Sequence, residues 1–253
     1  MRLLTIFGTR PEASKMCPVV LEAQSHTEIE SLVCVTAQHR QMLDQVLNAF
    51  RVTPDFDLNL MQPNQSLSQS AAAIFNHLDP IIKQVSPDWV LVQGDTTTVM
   101  AASLVCYYNR IKVGHVEAGL RSGDKWQPYP EEINRKVAGV VADLHLAPTE
   151  HSRLNLLREG VSDQKIVVTG NPAIDALRLV TSQPEPGEVK QLLDQHGIHT
   201  GGKGLVLVTA HRRENLGKPL EDICAAIKFL TLKYENQFHF IYPVHLNPHV
   251  QET

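Results

Sequence analysis

The chain has 253 residues, room for one large domain or two small ones. Hydrophobic residues make up 43% and charged residues 20%, an ordinary balance for a globular protein, and the net charge of −4 gives no overall basic field for nucleic acid. No apolar run reaches membrane-spanning length, and Gly8, Arg10 and Glu12 interrupt the N-terminal run before a signal-peptide core could form, so a cytoplasmic protein with no membrane partner is expected.

Strand-like and helix-like segments alternate along the chain. Leu3 to Phe7 is a short apolar run stopped by Gly8, which reads as a buried strand. Pro11 to about Gln24 reads as a helix with proline in its first turn. Ser31 to Thr36 is strand-like, and Gln41 to Phe50 has helical spacing, with Met42, Leu43, Val46 and Leu47 on one side. Leu67 to Val85 is a longer amphipathic helix, Trp89 to Val92 a strand, Thr97 to Tyr108 a helix and Lys112 to Val116 a strand. Glu131 to Ala142, Ser152 to Glu159 and Ala173 to Val180 are helical; Leu144 to Ala147 and Ile166 to Thr169 are strand-like. This repetition predicts an α/β fold with a parallel sheet covered on both faces.

The composition changes at Ser182 to Glu188, SQPEPGE, which reads as a surface stretch between domains. The expected division is 1–181 and 182–253. The second piece offers helices at Val189 to His196 and Leu220 to Tyr234, and strands at Leu205 to Val208 and Phe238 to Tyr242. That is thin for an independent doubly wound domain, and the sequence reads as cut short.

The four cysteines, Cys17, Cys34, Cys106 and Cys224, lie far apart in apolar contexts and read as buried free thiols. Twelve histidines make no HExxH or comparable ligand pair, and Pro248 between His245 and His249 argues against a helical metal site. No metal is expected.

In an open parallel sheet, ligands bind beyond the carboxyl ends of the strands, and those ends carry the chemistry here. The first strand is followed by Gly8-Thr9-Arg10-Pro11-Glu12 and then Lys15, a turn at a helix N-terminus that suits a phosphate. It lacks the GxGxxG and Walker A patterns; alone it is equally well a tight turn with Arg10 and Glu12 solvated. Asp95, in Gly94-Asp95-Thr96-Thr97-Thr98, is placed either to cap the next helix or to move a proton. Glu117 stands where a buried run meets a loop, a position suited to acid–base work; the plainer reading pairs it with Arg121. Glu131 and Glu132 suit the positive end of a helix started by Pro130, with Glu131 and Arg135 spaced as an i,i+4 pair. In the second piece, His211-Arg212-Arg213-Glu214 follows a strand and suits the charge of a departing diphosphate. Each motif alone has a structural explanation; five strand ends or nearby loops together have the pattern of a cleft.

At these residues the chain resembles the non-hydrolysing UDP-N-acetylglucosamine 2-epimerase family of bacteria. The resemblance rests on FGTRPEASK (7–15), TAQHRQMLDQVL (36–47), GDTTT (94–98), GHVEAGLRSGD (114–124), PEEINR (130–135), TGNPAIDAL (169–177), TAHRRENLG (209–217) and YPVHLNP (242–248), in family order over essentially the whole chain. It implies two Rossmann-like domains as in the GT-B glycosyltransferases, with an incomplete, nucleotide-binding second domain. It implies interconversion of UDP-N-acetylglucosamine and UDP-N-acetylmannosamine for polysaccharide biosynthesis, through elimination and re-addition of UDP, with no cofactor, in a homodimer.

The same resemblance implies that Asp95, Glu117 and Glu131 are the proton-handling carboxylates and that His211 supports the departing UDP. Arg10 and Lys15 would lie near the diphosphate, and Arg135 would line the sugar pocket. Gln38, His39, Gln41 and His245 match a second, activating substrate site known in part of the family. The segment Met61-Gln62-Pro63-Asn64-Gln65 lacks the arginine that some members carry there. Family members continue for roughly another hundred residues, about a domain's remainder, with a Ser-Gly-Gly and Glu-containing segment that holds the nucleotide. The expectation is therefore weak or absent turnover by these 253 residues alone and poor folding beyond about Ser182. The alternatives are a nucleotide-sugar glycosyltransferase, a hydrolysing epimerase, or a UDP-sugar-binding fragment without activity.

Overall fold

The computed structural model describes residues 1–36, 40–60, 62, 65–198, 202–210, 216–244 and 248–251, with the side chains of 40, 41, 248 and 249 outside that set. The chain divides into two compact units, Met1–Gln183 and Pro184–Thr253.

The first unit is built on seven parallel strands: β1 (Arg2–Phe7), β2 (Glu30–Val35), β3 (Phe56–Asp57), β4 (Trp89–Gln93), β5 (Lys112–Val116), β6 (Leu144–Ala147) and β7 (Ile166–Val168). Their order across the sheet is β3-β2-β1-β4-β5-β6-β7. The chain reverses direction across the sheet between β1 and β4, which opens a crevice beyond their carboxyl ends.

Two helical layers cover the sheet. Helices α1 (Arg10–Ser25), α2 (Arg40–Phe50) and α7 (Pro172–Thr181) bury Met16, Leu43, Phe50 and Ala176 with Leu3, Phe7, Val33 and Val116 of the strands. On the other face, α3 (Leu67–Val85), α4 (Thr97–Tyr108) and α5 (Glu131–Val141) bury Ile74, Leu78, Val99 and Ala138 with Leu4, Ile6, Val90 and Val92. Successive strand residues thus enter opposite cores, which is why these strands read as continuous apolar runs rather than alternating ones. A smaller cluster joins Leu156 of α6 (Glu150–Arg158) to Ala118, Ala147 and Ile166.

The second unit pairs β8 (Gly204–Leu207) with β9 (Phe238–Ile241) in parallel, accompanied by α8 (Gly187–Gln195), α9 (Lys218–Lys233) and the single turn α10 (Pro248–Gln251). Leu207, Phe229 and Leu232 are more than 60% exposed, so the described apolar residues of this unit make little core.

Among the described residues, every element read from the sequence has the expected type, with ends shifted by one or two residues; the single turn α10 was not read. The strand Phe56–Asp57 and the 3-10 turn Asp163–Lys165 escaped that reading because two or three residues carry no periodicity. Cys17, Cys34 and Cys106 are buried free thiols, and burial pushes each up to about 12. Cys224 is half-buried and free. Among the described residues no helix is long and apolar enough to cross a membrane.

Candidate active site

The crevice floor begins at the β1–α1 turn. A Cβ on Gly8 would stand 2.0 Å from Thr36 Oγ1 and 2.8 Å from Thr98 Oγ1, whose hydroxyls are themselves 2.9 Å apart. Only glycine lets the backbone pass this pair. Thr9 and Glu12 form a capping box: Thr9 Oγ1 accepts from the Glu12 amide at 3.5 Å. Glu12 Oε2 accepts from the amides of Gly8 and Thr9 at 2.9 and 2.7 Å. Thr96 Oγ1 donates to the other Glu12 oxygen at 2.7 Å. Glu12 is only 2% exposed, so the solvated reading of this residue is wrong. Burial raises its pKa, and the hydrogen bonds from Thr96, Gly8 and Thr9 oppose that rise. The T-x-x-E spacing was the available signal. Arg10 is exposed at the start of α1.

Beyond β4, Gly94 (φ +78°) turns the chain and Asp95 points away from α4. Thr96, not Asp95, caps that helix, its Oγ1 accepting from the Val99 amide at 3.4 Å. The Asp95 carboxylate instead accepts from Arg135 Nη2, and Asn134 Nδ2 donates to the Asp95 carbonyl at 3.0 Å. Burial raises the Asp95 pKa; Arg135 opposes, while the charges of Glu131 and Glu117 push it further up. Asp95 therefore feels both of the other proposed carboxylates.

Glu117 follows β5 with φ +62°, a left-handed conformation uncommon outside glycine. Its side chain is 9% exposed. Lys15 Nζ lies 2.5 Å from Oε2, Gln93 Nε2 also donates to Oε2, and Asn171 Nδ2 donates to Oε1 at 2.7 Å. The Glu117–Arg121 pair is absent: Arg121 grips Glu159 through Nε and Nη2 at 2.7 and 2.6 Å. Lys15 thus neutralises a carboxylate that comes from 102 positions away.

At the head of α5, Arg135 bonds Asp95 and lies 3.3 Å from Glu132, so the i,i+4 pair with Glu131 does not form. Glu132 is fully buried and accepts from the amides of Ser122 and Gly123 at 3.1 and 3.3 Å, pinning the loop before the helix. Among the described residues, Glu131 Oε2 and Arg135 Nε are buried without a hydrogen-bond partner. Behind the site, His115 Nε2 donates to the Gly94 carbonyl at 2.7 Å. Burial lowers the His115 pKa to about 4, so the ring is neutral at pH 7.

Within one unit, the structure joins Glu117 beyond β5 to Lys15 of α1 and Asp95 beyond β4 to Arg135 of α5, with Glu131 at the head of α5. His211, His39, Gln38 and His245 lie outside the described residues; Gln41 belongs to α2 with its side chain outside them. Sequence reasoning missed Gln93, Asn171, Glu132 and His115. Asn171, Glu132 and His115 stood inside quoted motifs; Gln93 carried no signal beyond its place at the end of a strand.

The family model described as UDP-N-acetylglucosamine 2-epimerase matches residues 21–253. A UDP-N-acetylglucosamine 2-epimerase of Bacillus subtilis is 51% identical over 253 residues, all of this chain and 64% of the relative. A crystal structure of UDP-GlcNAc 2-epimerase from Neisseria meningitidis bound to UDP-GlcNAc is 47% identical, with a TM-score of 0.87, over 100% of this chain and 68% of that one. A lipopolysaccharide outer core galactosyltransferase, 13% identical with a TM-score of 0.50 over 96% of this chain and 60% of that one, shares the fold alone. The chain spans about two thirds of the length of these relatives. With a strand-end constellation of this kind and a family match over residues 21–253, the chain belongs to the UDP-N-acetylglucosamine 2-epimerase family.

Proposed function

We propose that the protein interconverts UDP-N-acetylglucosamine and UDP-N-acetylmannosamine by elimination and re-addition of UDP. One observation carries the reading: Asp95 beyond β4 ion-pairs with Arg135, Glu117 beyond β5 ion-pairs with Lys15, and Glu131 at the head of α5 joins Glu117 in pushing the Asp95 pKa up. A C2 epimerisation needs proton acceptors and donors on both faces of the sugar, and carboxylates with contrasting surroundings supply them. A carboxylate takes the C2 proton, the C–H electron pair becomes the C1=C2 bond, and the C1–O bond breaks with its electrons leaving on UDP. UDP then attacks C1 again while a carboxylic acid returns a proton to the opposite face of C2. Every electron is accounted for without an external oxidant.

Arg10 and His211 would offset the charge of the departing diphosphate. Lys15 would do so in exchange with Glu117, and Arg135 would border the sugar. The buried Glu131 Oε2 and Arg135 Nε are atoms that the sugar's polar groups would satisfy. The Neisseria relative, solved with UDP-GlcNAc bound, supports the substrate class. We place the work on the cytoplasmic nucleotide-sugar pool and propose a homodimer, which sedimentation equilibrium tests.

The functional test is incubation of the protein with UDP-N-acetylglucosamine in D2O, followed by mass spectrometry and proton NMR. Whatever turnover these 253 residues support should place one deuterium at C2 in both epimers. Epimer that retains its C2 hydrogen would refute the elimination route. Free N-acetylmannosamine with stoichiometric UDP would mark hydrolysis, and sugar passed to an acceptor without epimer would mark glycosyl transfer.

A further inference from the structure

We infer that Asn171 and Gln93 are positioning residues that fix the Glu117 carboxylate and leave Oε1 as its proton-accepting oxygen. The inference rests on the functional reading above. An ionised carboxylate has about four lone-pair sites on two oxygens. Oε2 receives both the Lys15 ammonium, at 2.5 Å, and the Gln93 amide. Among the described residues, Oε1 receives Asn171 Nδ2 alone, at 2.7 Å, and keeps one site open.

The clamp is rigid at each donor. Gln93 is the last residue of β4, is 3% exposed, and lies in register with Val116, the residue before Glu117. Asn171 caps α7: its Oδ1 accepts from the Ala173 amide at 3.0 Å, which turns Nδ2 toward Glu117. The same side chain therefore starts a helix and aims a carboxylate 54 positions away. The backbone of Glu117, at φ +62°, holds its side chain against these donors from its own end. Strained conformations persist where surrounding contacts over-determine them, and here three donors from α1, β4 and the β7–α7 turn do so. A base fixed in this way needs no reorientation when the C2 proton leaves.

Two measurements test the inference. The first is independent of turnover: the Asn171 side-chain amide is followed in 1H–15N spectra of the wild-type protein and of Glu117→Gln. A hydrogen bond to a carboxylate predicts one displaced amide proton that moves back in Glu117→Gln. An Asn171 amide indifferent to Glu117→Gln would overturn the clamp. The second uses Asn171→Ser, which keeps a capping oxygen but loses the donor, and Gln93→Met, nearly the same shape without one. The turnover number for C2 exchange is expected to fall roughly ten- to hundred-fold, the worth of a charge-assisted hydrogen bond, with KM within about twofold. Wild-type turnover numbers in both variants would reduce Asn171 to a helix cap and sink the proposal. An amide that responds in a wild-type protein unable to exchange C2 hydrogen would leave the clamp standing and assign the missing turnover to the 253-residue chain rather than to Asn171 or Gln93.

Discussion

Lys15 of α1 and Glu117 beyond β5 are joined by a 2.5 Å ion pair that ties the first strand–helix turn to a carboxylate 102 positions later. Glu117 is 9% exposed and Lys15 25%, so water screens the pair only partly. Lys15→Met should remove the cation and leave a nearly buried carboxylate with two amide donors. The expected loss is about 1–3 kcal/mol of stability, the usual worth of hydrogen bonds to charged groups. Urea denaturation measures it, and a midpoint equal to wild type would show that the pair contributes nothing.

Gly8 should not accept a side chain without a shift of its neighbours. Alanine there would drive a methyl group to 2.0 Å from Thr36 Oγ1 and 2.8 Å from Thr98 Oγ1. Overpacking of this kind costs roughly 1–3 kcal/mol. Gly187→Ala, where an added Cβ meets nothing within 4 Å, is the control and should stay within about 0.5 kcal/mol. Equal denaturation midpoints for the two variants would count against the packing argument.

His115 gives stability a pH dependence whose direction follows from its burial. Its pKa is depressed to about 4 from an ordinary 6.5, so the unfolded chain binds the extra proton between those values. Stability is then complete above about pH 6.5 and is lost progressively as the pH falls toward about 4. The ceiling on this contribution is on the order of 3 kcal/mol at 1.36 kcal/mol per unit. His115→Gln, which retains an amide donor for the Gly94 carbonyl, should flatten the curve of melting temperature against pH over that window. His145, buried and also lowered to about 4, remains to supply a residual slope. A variant as acid-sensitive as wild type would remove His115 from the account.

Asp95 shows the opposite sign. Burial, aided by Glu131 and Glu117, raises its pKa despite Arg135. The folded state therefore holds this proton more tightly than the unfolded chain, and ionisation on the way to pH 7 costs stability. Asp95→Asn should melt above wild type at pH 7 while losing roughly 100- to 10,000-fold in C2 exchange, the range of acid–base catalysis. Calorimetry and deuterium incorporation check the two halves. A variant that melts lower would mean that the Arg135 pair outweighs desolvation.

By itself, the sequence determined the layered α/β core, because strands buried on both faces need apolar residues at every position and helices need them at a repeat of 3.6. It also located the reactive loops: Asp95 follows Gly94, Glu117 ends an apolar run, and Glu131 follows Pro130 at a helix start. Partnership was beyond it. Glu117 has an arginine four positions on, and Glu131 likewise, yet Glu117 takes Lys15, Gln93 and Asn171, Arg121 takes Glu159, and Arg135 takes Asp95. Spacing along a chain counts only local neighbours. Parallel crossovers bring β1, β4 and β5 side by side, so the nearest charge to a strand-end carboxylate comes from another crossover, and only the folded sheet decides which one.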